Sequence, residues 1–404
     1  MISIRPRISN AWRGKAGQLW TPTSTSPTRA SMLGDYSQQF SGFSGQRAPV
    51  TYKNGAIPVN LFKSQSNQFG LPRAPSSYRP TRYTRPLPLN PFQNHTEHRT
   101  SYITMTSPSG EPTIHDIFES KTGTWQYVVA DPSTLAAVII DPVLDYDAAT
   151  NSVATTAADA LLALVRDKGY TVEKILETHV HADHLTAASY LQNRLAELQG
   201  HSPSIGIGKR IEQVQKLFSH RYSVPEQEYK GIFDNLFDDN EVFNVGQLRA
   251  MAIHLPGHTP DHLGYKIGDN VFCGDSLFHA DIGTARCDFP GGSANNLFQS
   301  GHKLLGLPGH VKIWTGHDYP PEDRKSPMSW MSVEDHKAEN KHLKAGITED
   351  EFVNVRKERD GKLAEPKLLH QSLQINIRAG RLPKPTDTGH RMLHLPLKLK
   401  GVEW

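Results

Sequence analysis

The sequence predicts an α/β domain behind a long basic extension, and three observations carry that prediction. From about Thr113 onward, short apolar runs of strand length alternate with stretches of helical spacing. Three imidazoles and a carboxylate crowd into the six positions His179 to His184, directly after the apolar run Lys174-Ile175-Leu176. The charge is also split. Residues 1–99 hold thirteen Lys or Arg against two acids, a net +11, so the chain total of +3 leaves −8 for the remainder. No basic nucleic-acid surface follows for the folded part.

The extension, residues 1–104, is rich in Arg, Ser, Thr, Pro, Gln and Asn and shows no apolar periodicity. Such a segment cannot bury enough apolar surface to offset its chain entropy, and disorder is expected. Its first residues, Met1 to Arg13, have the Arg/Ser-rich, acid-free texture of a mitochondrial presequence. The alternative is an extension without an address, with translation starting at Met105 and a cytoplasmic product. Residues 105–404 are assigned to one catalytic domain. Its two cysteines, Cys273 and Cys287, are too few for a disulfide framework and fit a reducing compartment. No apolar run reaches the ~18 to 20 residues of a membrane span, so no membrane partner is expected.

Within the domain, Tyr127–Ala130 and Ala136–Ile140 read as two buried strands around a turn at Asp131-Pro132-Ser133, ending at Asp141-Pro142. Asn151 to Lys168 carries Leu161, Leu164 and Val165 at helical spacing and stops at Gly169. The metal-type stretch follows one strand later. If that strand ends near Thr178, His179 and His181 project from the turn, while Asp183 and His184 open the next helix, continued by Ala187 to Leu198. Ile205 to Gly208 begins another strand. Ile211 to Asn240 is expected as helical insertion and loop over the rim of the site. Leu248–His254, Leu263–Ile267 and Asn270–Cys273 are strands, each followed by a turn bearing a polar residue. Glu334 to Glu358 reads as polar helix, with His336 and His342 solvated.

Two neutral imidazoles plus a carboxylate suit Zn, Fe or Mn, whereas an all-oxygen set would suit Mg or Ca. Three further ligand types sit in Gly-containing turns: His258 in Leu255-Pro256-Gly257-His258, Asp275 in Cys273-Gly274-Asp275, and His317 in Trp314-Thr315-Gly316-His317.

The order and setting of these seven residues resemble the metallo-β-lactamase fold family. That resemblance implies an αββα sandwich of two mixed sheets flanked by helices, with the metal centre between the sheet edges. In two-metal members, His179, His181 and His258 hold one metal, Asp183, His184 and His317 the other, and Asp275 bridges. Gly283 to Gly292, His317-Asp318-Tyr319 and Gln374 to Gly380 look like the persulfide dioxygenases, especially the β-lactamase hydrolase-like branch, over roughly Thr113 to Leu399.

This likeness implies one Fe(II) per chain on His179, His258 and Asp275, with His181, Asp183, His184 and His317 as an outer shell or second metal site. It also implies glutathione persulfide and O2 as partners, with a homodimer as the assembly to look for. Arg286 and Tyr319 are candidates beside the open metal positions; the alternative for Arg286 is an ion pair with Asp288. Arg378 is a candidate for a glutathione carboxylate, since Arg pairs bidentately with carboxylates, against a fold-stabilising ion pair. Bifunctional relatives add a rhodanese domain with a reactive cysteine loop, and no such loop occurs here. The rival activity is a dinuclear Zn hydrolase of the glyoxalase II or lactonase kind, which the same seven ligands would serve.

Overall fold

The computed structural model describes residues 110–401, so the extension and the presequence expected at its start lie outside the described residues. The first half runs β1 (Thr113–Glu119), β2 (Thr124–Ala130), β3 (Ala136–Ile140), β4 (Val143–Asp147), β5 (Ser152–Ala154), α1 (Thr156–Lys168), β6 (Thr171–Leu176), β7 (Leu185–Thr186), α2 (Ala188–Gln199), β8 (Ser204–Gly208), α3 (Ile211–Tyr222) and β9 (Asn235–Phe237). The second half runs β10 (Val242–Val245), β11 (Leu248–His254), β12 (Leu263–Ile267), β13 (Asn270–Phe272), α4 (Ala294–Leu305), β14 (Lys312–Trp314), β15 (Trp330–Ser332), α5 (Val333–Glu339), α6 (Glu349–Asp360) and α7 (Leu369–Asn376). Besides a small sheet of order β5-β4-β7, the strands form two six-stranded sheets, β1-β2-β3-β6-β8-β9 and β10-β11-β12-β13-β14-β15. Both six-stranded sheets are mixed: β3, β6, β8 and β9 pair in parallel in the first, and only β13 with β14 in the second.

Every residue of β2 and β3 is buried, because each strand is covered on both faces. Successive side chains point to opposite faces. Val128, Ala137 and Ile139 therefore meet Leu161, Leu191 and Phe218 from α1, α2 and α3. Tyr127, Val129, Val138 and Ile140 turn the other way, against Ala252, Tyr265 and Phe272 of the second sheet. On its far face the second sheet packs Val271 and Ile313 against Leu297 of α4 and Phe352 of α6. These three apolar layers make the expected αββα sandwich of two mixed sheets flanked by helices.

Several local expectations need correction. The stretch from Asn151 does not start as helix: Asn151 has φ of 53°, the short strand β5 follows, and α1 begins at Thr156. Gly169 ends it in the left-handed conformation, as expected. Asp183 and His184 do not open a helix; they lie in the turn before β7, and α2 starts only at Ala188. The excursion from Ile211 is more than an insertion. Its helix α3 buries Val214, Phe218 and Tyr222 in the core, and it ends in β9, the edge strand of the first sheet. The polar helix expected over Glu334–Glu358 is two helices. His336 and His342 are buried, not solvated: the Asn340 turn between the helices lays His342 on the loop at Gly283, and the Asn340 amide meets the His336 ring at 3.2 Å.

Candidate metal centre

Strand direction brings the candidate ligands together. β11 and β13 run the same way because each is antiparallel to β12, and β14 is parallel to β13. The turns carrying His258, Asp275 and His317 therefore leave the second sheet at one edge. The turn after β6 brings the first sheet's contribution to the same edge. Two bonds fasten the sheets there: Leu263 N–H donates to Thr178 O at 2.7 Å, and the Tyr265 hydroxyl donates to Glu177 O at 2.8 Å. Two glycines make room. Gly274 has φ of 47°, and a Cβ there would overlap Thr178 Oγ1; a Cβ at Gly316 would overlap the Asp275 carboxylate.

Ligand atoms of His179, His258 and Asp275 lie within 4.8 Å of one another, as do those of His181, Asp183 and His184. His258 Nε2 is 3.6 Å from Asp275 Oδ2, and His179 Nε2 is 4.0 Å from the same oxygen. His317 Nε2 stands between the clusters, 3.2 Å from Asp183 and 3.5 Å from Asp275. All seven ligand types thus converge. His179 Nε2, His181 Nδ1, His184 Nε2 and Asp275 Oδ1 are buried without a hydrogen-bond partner in the protein. Unpaired buried polar atoms are costly, and a cation at their focus would satisfy all four. The donor set thus fits a metal.

The opposite ring atoms are held by the protein, as metal-binding imidazoles require. Thr178 Oγ1 donates to Asp141 Oδ2 at 2.8 Å and can therefore accept from His179 Nδ1–H at 3.0 Å, leaving Nε2 free. His258 Nδ1–H donates to Arg286 O at 2.7 Å. Burial and the neighbouring imidazoles push His179 well below the usual histidine range, so it stays neutral. For His181 burial acts the same way but is outweighed: Asp141 and Glu177, 3.2 and 3.1 Å from Nε2, hold it well above that range.

Sequence reasoning missed the supports of this shell. Asp141 Oδ1 accepts Thr178 N–H at 2.7 Å, Asp261 Oδ2 accepts Val180 N–H at 3.0 Å, and His262 Nε2 accepts Asp275 N–H at 3.0 Å. Asn376 Nδ2 donates to His181 O and His184 O, both at 2.8 Å, while its Oδ1 accepts Thr186 N–H. Signals existed: Asp261 and His262 share the turn of His258, and Asn376 lies within the Gln374–Gly380 motif.

A cavity of about 290 Å³ opens onto this edge, lined by Asp183, His258, Asp275, His317, Arg286 and Tyr319 among others. Tyr319 stacks on His317 with ring centroids 5.7 Å apart. The guanidinium of Arg286 is largely engaged, donating to both Asp288 oxygens at 2.5 Å and to Ala364 O at 2.8 Å. Of its two readings, Arg378 takes the ion pair in this structure. It is buried, pairs with Glu228 at 2.9 Å, donates to Gln374 O at 2.5 Å and does not line this cavity. The excursion expected at the rim does reach it, since Phe218 and Arg221 line an adjoining cavity with Ala182, His258 and Arg286.

Comparison with known proteins agrees with this geometry. Residues 121–317 match the metallo-β-lactamase superfamily. The β-lactamase hydrolase-like protein of Xylella fastidiosa is 44% identical over 295 residues, covering 72% of this chain and 67% of that one. The mitochondrial persulfide dioxygenase ETHE1 of Bos taurus is 28% identical over 282 residues, 69% of this chain and 93% of that one. Among solved structures, ETHE1 from Myxococcus xanthus superposes with a TM-score of 0.53 at 28% identity, over 67% of this chain and all of that one. Sheet order, converging ligand set and relatives agree: the chain belongs to the metallo-β-lactamase superfamily, alongside the β-lactamase hydrolase-like and ETHE1 proteins.

Proposed function

We propose that the protein is a persulfide dioxygenase that converts glutathione persulfide, O2 and water into glutathione, sulfite and two protons, using one Fe(II) per chain. The observation that carries this reading is the compact His179, His258 and Asp275 group. Two imidazoles and one carboxylate would suit a non-haem iron, held by these three side chains. Such a metal would supply redox chemistry for oxidation of a sulfane sulfur by dioxygen, whereas Zn, which has no redox chemistry, would serve hydrolysis only. In this reading His181, Asp183, His184 and His317 form the surrounding shell. Likeness to ETHE1 supports the assignment.

The remaining roles fall to the cavity wall. Of the five N–H groups of Arg286, three are engaged, which leaves two for an anionic sulfur or oxygen. Tyr319 stands over His317 and offers a phenol O–H to the same space. No helix among the described residues is long and apolar enough to cross a membrane. The presequence-like start of residues 1–104 supports a mitochondrial setting. Deleting Met1 to Arg99 is expected to move a fluorescent fusion from mitochondria to cytosol and to leave O2 uptake unchanged.

A second reading has its own observation. His181, Asp183 and His184 also cluster, with His181 Nδ1 and His184 Nε2 unpaired, which suits a second metal and a Zn hydrolase whose bound water has its pKa lowered to about 7. The hydrolase-like name of the Xylella relative points the same way. Elemental analysis of anaerobically purified protein separates the two. One Fe per chain supports dioxygenation; two Zn per chain would overturn it.

A further inference from the structure

The cavity wall facing the ligands is the loop Thr284 to Cys287, and α6 holds it with two residues of a helix that reads as polar in sequence. Arg356 is fully buried. Its Nη1 donates to Thr284 O at 2.8 Å and to Ala285 O at 2.6 Å, and its Nη2 lies 3.1 Å from Asp360 one turn on. Asp360 Oδ2 in turn accepts Cys287 N–H at 2.8 Å. The pair therefore grips the backbone on both sides of Arg286. The Arg286 carbonyl between those grips accepts His258 Nδ1–H at 2.7 Å, leaving Nε2 aimed at Asp275. Stability alone does not account for such a pair, because a buried ion pair can often be replaced by apolar residues of similar volume without loss.

We propose that Arg356 and Asp360 are positioning residues of the metal centre: by fixing the Arg286 carbonyl they set the tautomer and orientation of His258. The inference rests on His258 being a metal ligand and is indifferent to whether the metal does oxidative or hydrolytic chemistry. Outer partners of metal-binding imidazoles act in this way, raising affinity by holding the ring in register. Arg356→Lys keeps the charge but loses the planar fork that reaches the two carbonyls through Nη1 and Asp360 through Nη2 at once.

The test is Co(II) binding to the full-length, metal-stripped chain, with affinity read by competition against a chelator and geometry by the visible ligand-field spectrum. Arg356→Met and Asp360→Asn are expected to weaken Co(II) by about 10- to 100-fold and to shift the spectrum. Arg356→Lys should recover part of both. Phe352→Leu, which loosens α6 against Phe298 and removes none of the hydrogen bonds to the loop, should lower Tm while affinity and spectrum stay as in wild type. Should Arg356→Met fail to fold, Asp360→Asn and Arg356→Lys still decide. Wild-type affinity and spectrum in those variants would overturn the proposal, as would an equal loss in Phe352→Leu at equal Tm. His258→Ala separates the two layers. If it weakens Co(II) and the α6 variants do not, only the clamp fails; if it leaves Co(II) binding intact, the ligand assignment fails and the clamp with it.

Discussion

Two regions face each other across the cavity, and they carry their chemistry in different ways. On one side the run Glu177 to Thr186 brings its donors within a single turn at the end of β6. On the other, the wall built by Thr284 to Cys287 and by α6 shows cations that hold a carboxylate close in sequence, Asp288 or Asp360, and also bond carbonyls far along the chain. Arg286 bonds Ala364, Arg356 bonds Thr284, and Arg378, deeper in the fold, bonds Glu228. A metal site can be compact in sequence because a strand end displays neighbouring side chains together. A charged side chain on the opposite wall is defined by whichever carboxylate or carbonyl tertiary packing brings to it.

The largest expected effect breaks the first region. In a mononuclear site Asp275→Asn removes the only anionic ligand and should abolish iron binding, while His317→Asn should leave most of it. Elemental analysis of both variants checks this, and equal loss from both would indicate a dinuclear centre. The next effect belongs to the far side. Arg378 and Glu228 are 7% and 14% exposed, so Arg378→Ala leaves a buried carboxylate unpaired and should cost about 3–5 kcal/mol. KM for glutathione persulfide should not change in the protein that still folds. A raised KM with unaltered denaturation midpoint would restore Arg378 as a substrate contact.

What could be read from the sequence follows the same division. The strand pair β2 and β3, the strands β11 and β12, and the seven ligand types could be read because periodicity and Gly-bounded turns are local signals. The polar helix places His336 and His342 in solvent, yet Asn340 turns the chain, its amide meets the His336 ring, and His342 is buried against Gly283. Asp141 looked like a strand end; its role under Thr178 and His181 depends on β3 and β6 lying side by side. Arg286 and Arg378 looked alike as anion contacts. Only packing reveals that one lines the cavity beside the candidate metal centre and the other lies buried against Glu228, away from it.

A smaller effect sharpens that last contrast. The Arg286–Asp288 pair is partly exposed, so Arg286→Lys should cost at most about 1 kcal/mol of stability. Iron content should hold while turnover with persulfide falls, because the planar fork is lost. Loss of activity only in proportion to loss of folded protein would make the pair purely structural. The smallest effect concerns acid. Burial pushes His342 down to about 3 and His336 to about 4, against an ordinary 6.5. The unfolded chain takes up protons that these rings refuse when folded. Their contribution is therefore neutral above about pH 6.5 and increasingly destabilising as pH falls toward about 4. His342→Asn, which retains an acceptor for Thr284 N–H, should flatten the fall of Tm between about pH 6.5 and 5. An unchanged slope would mean that His342 titrates freely in the folded protein.

The central claim, that the His179, His258 and Asp275 face serves oxidation of a persulfide, is tested most directly by O2 uptake with glutathione persulfide. The measurement uses anaerobically purified, iron-loaded full-length protein, with sulfite measured in parallel and thioester and lactone hydrolysis assayed beside it. One O2 is expected to be consumed for each sulfite formed, and both are expected to be lost in Asp275→Asn. Hydrolysis of the thioester or lactone without O2 uptake would contradict the claim.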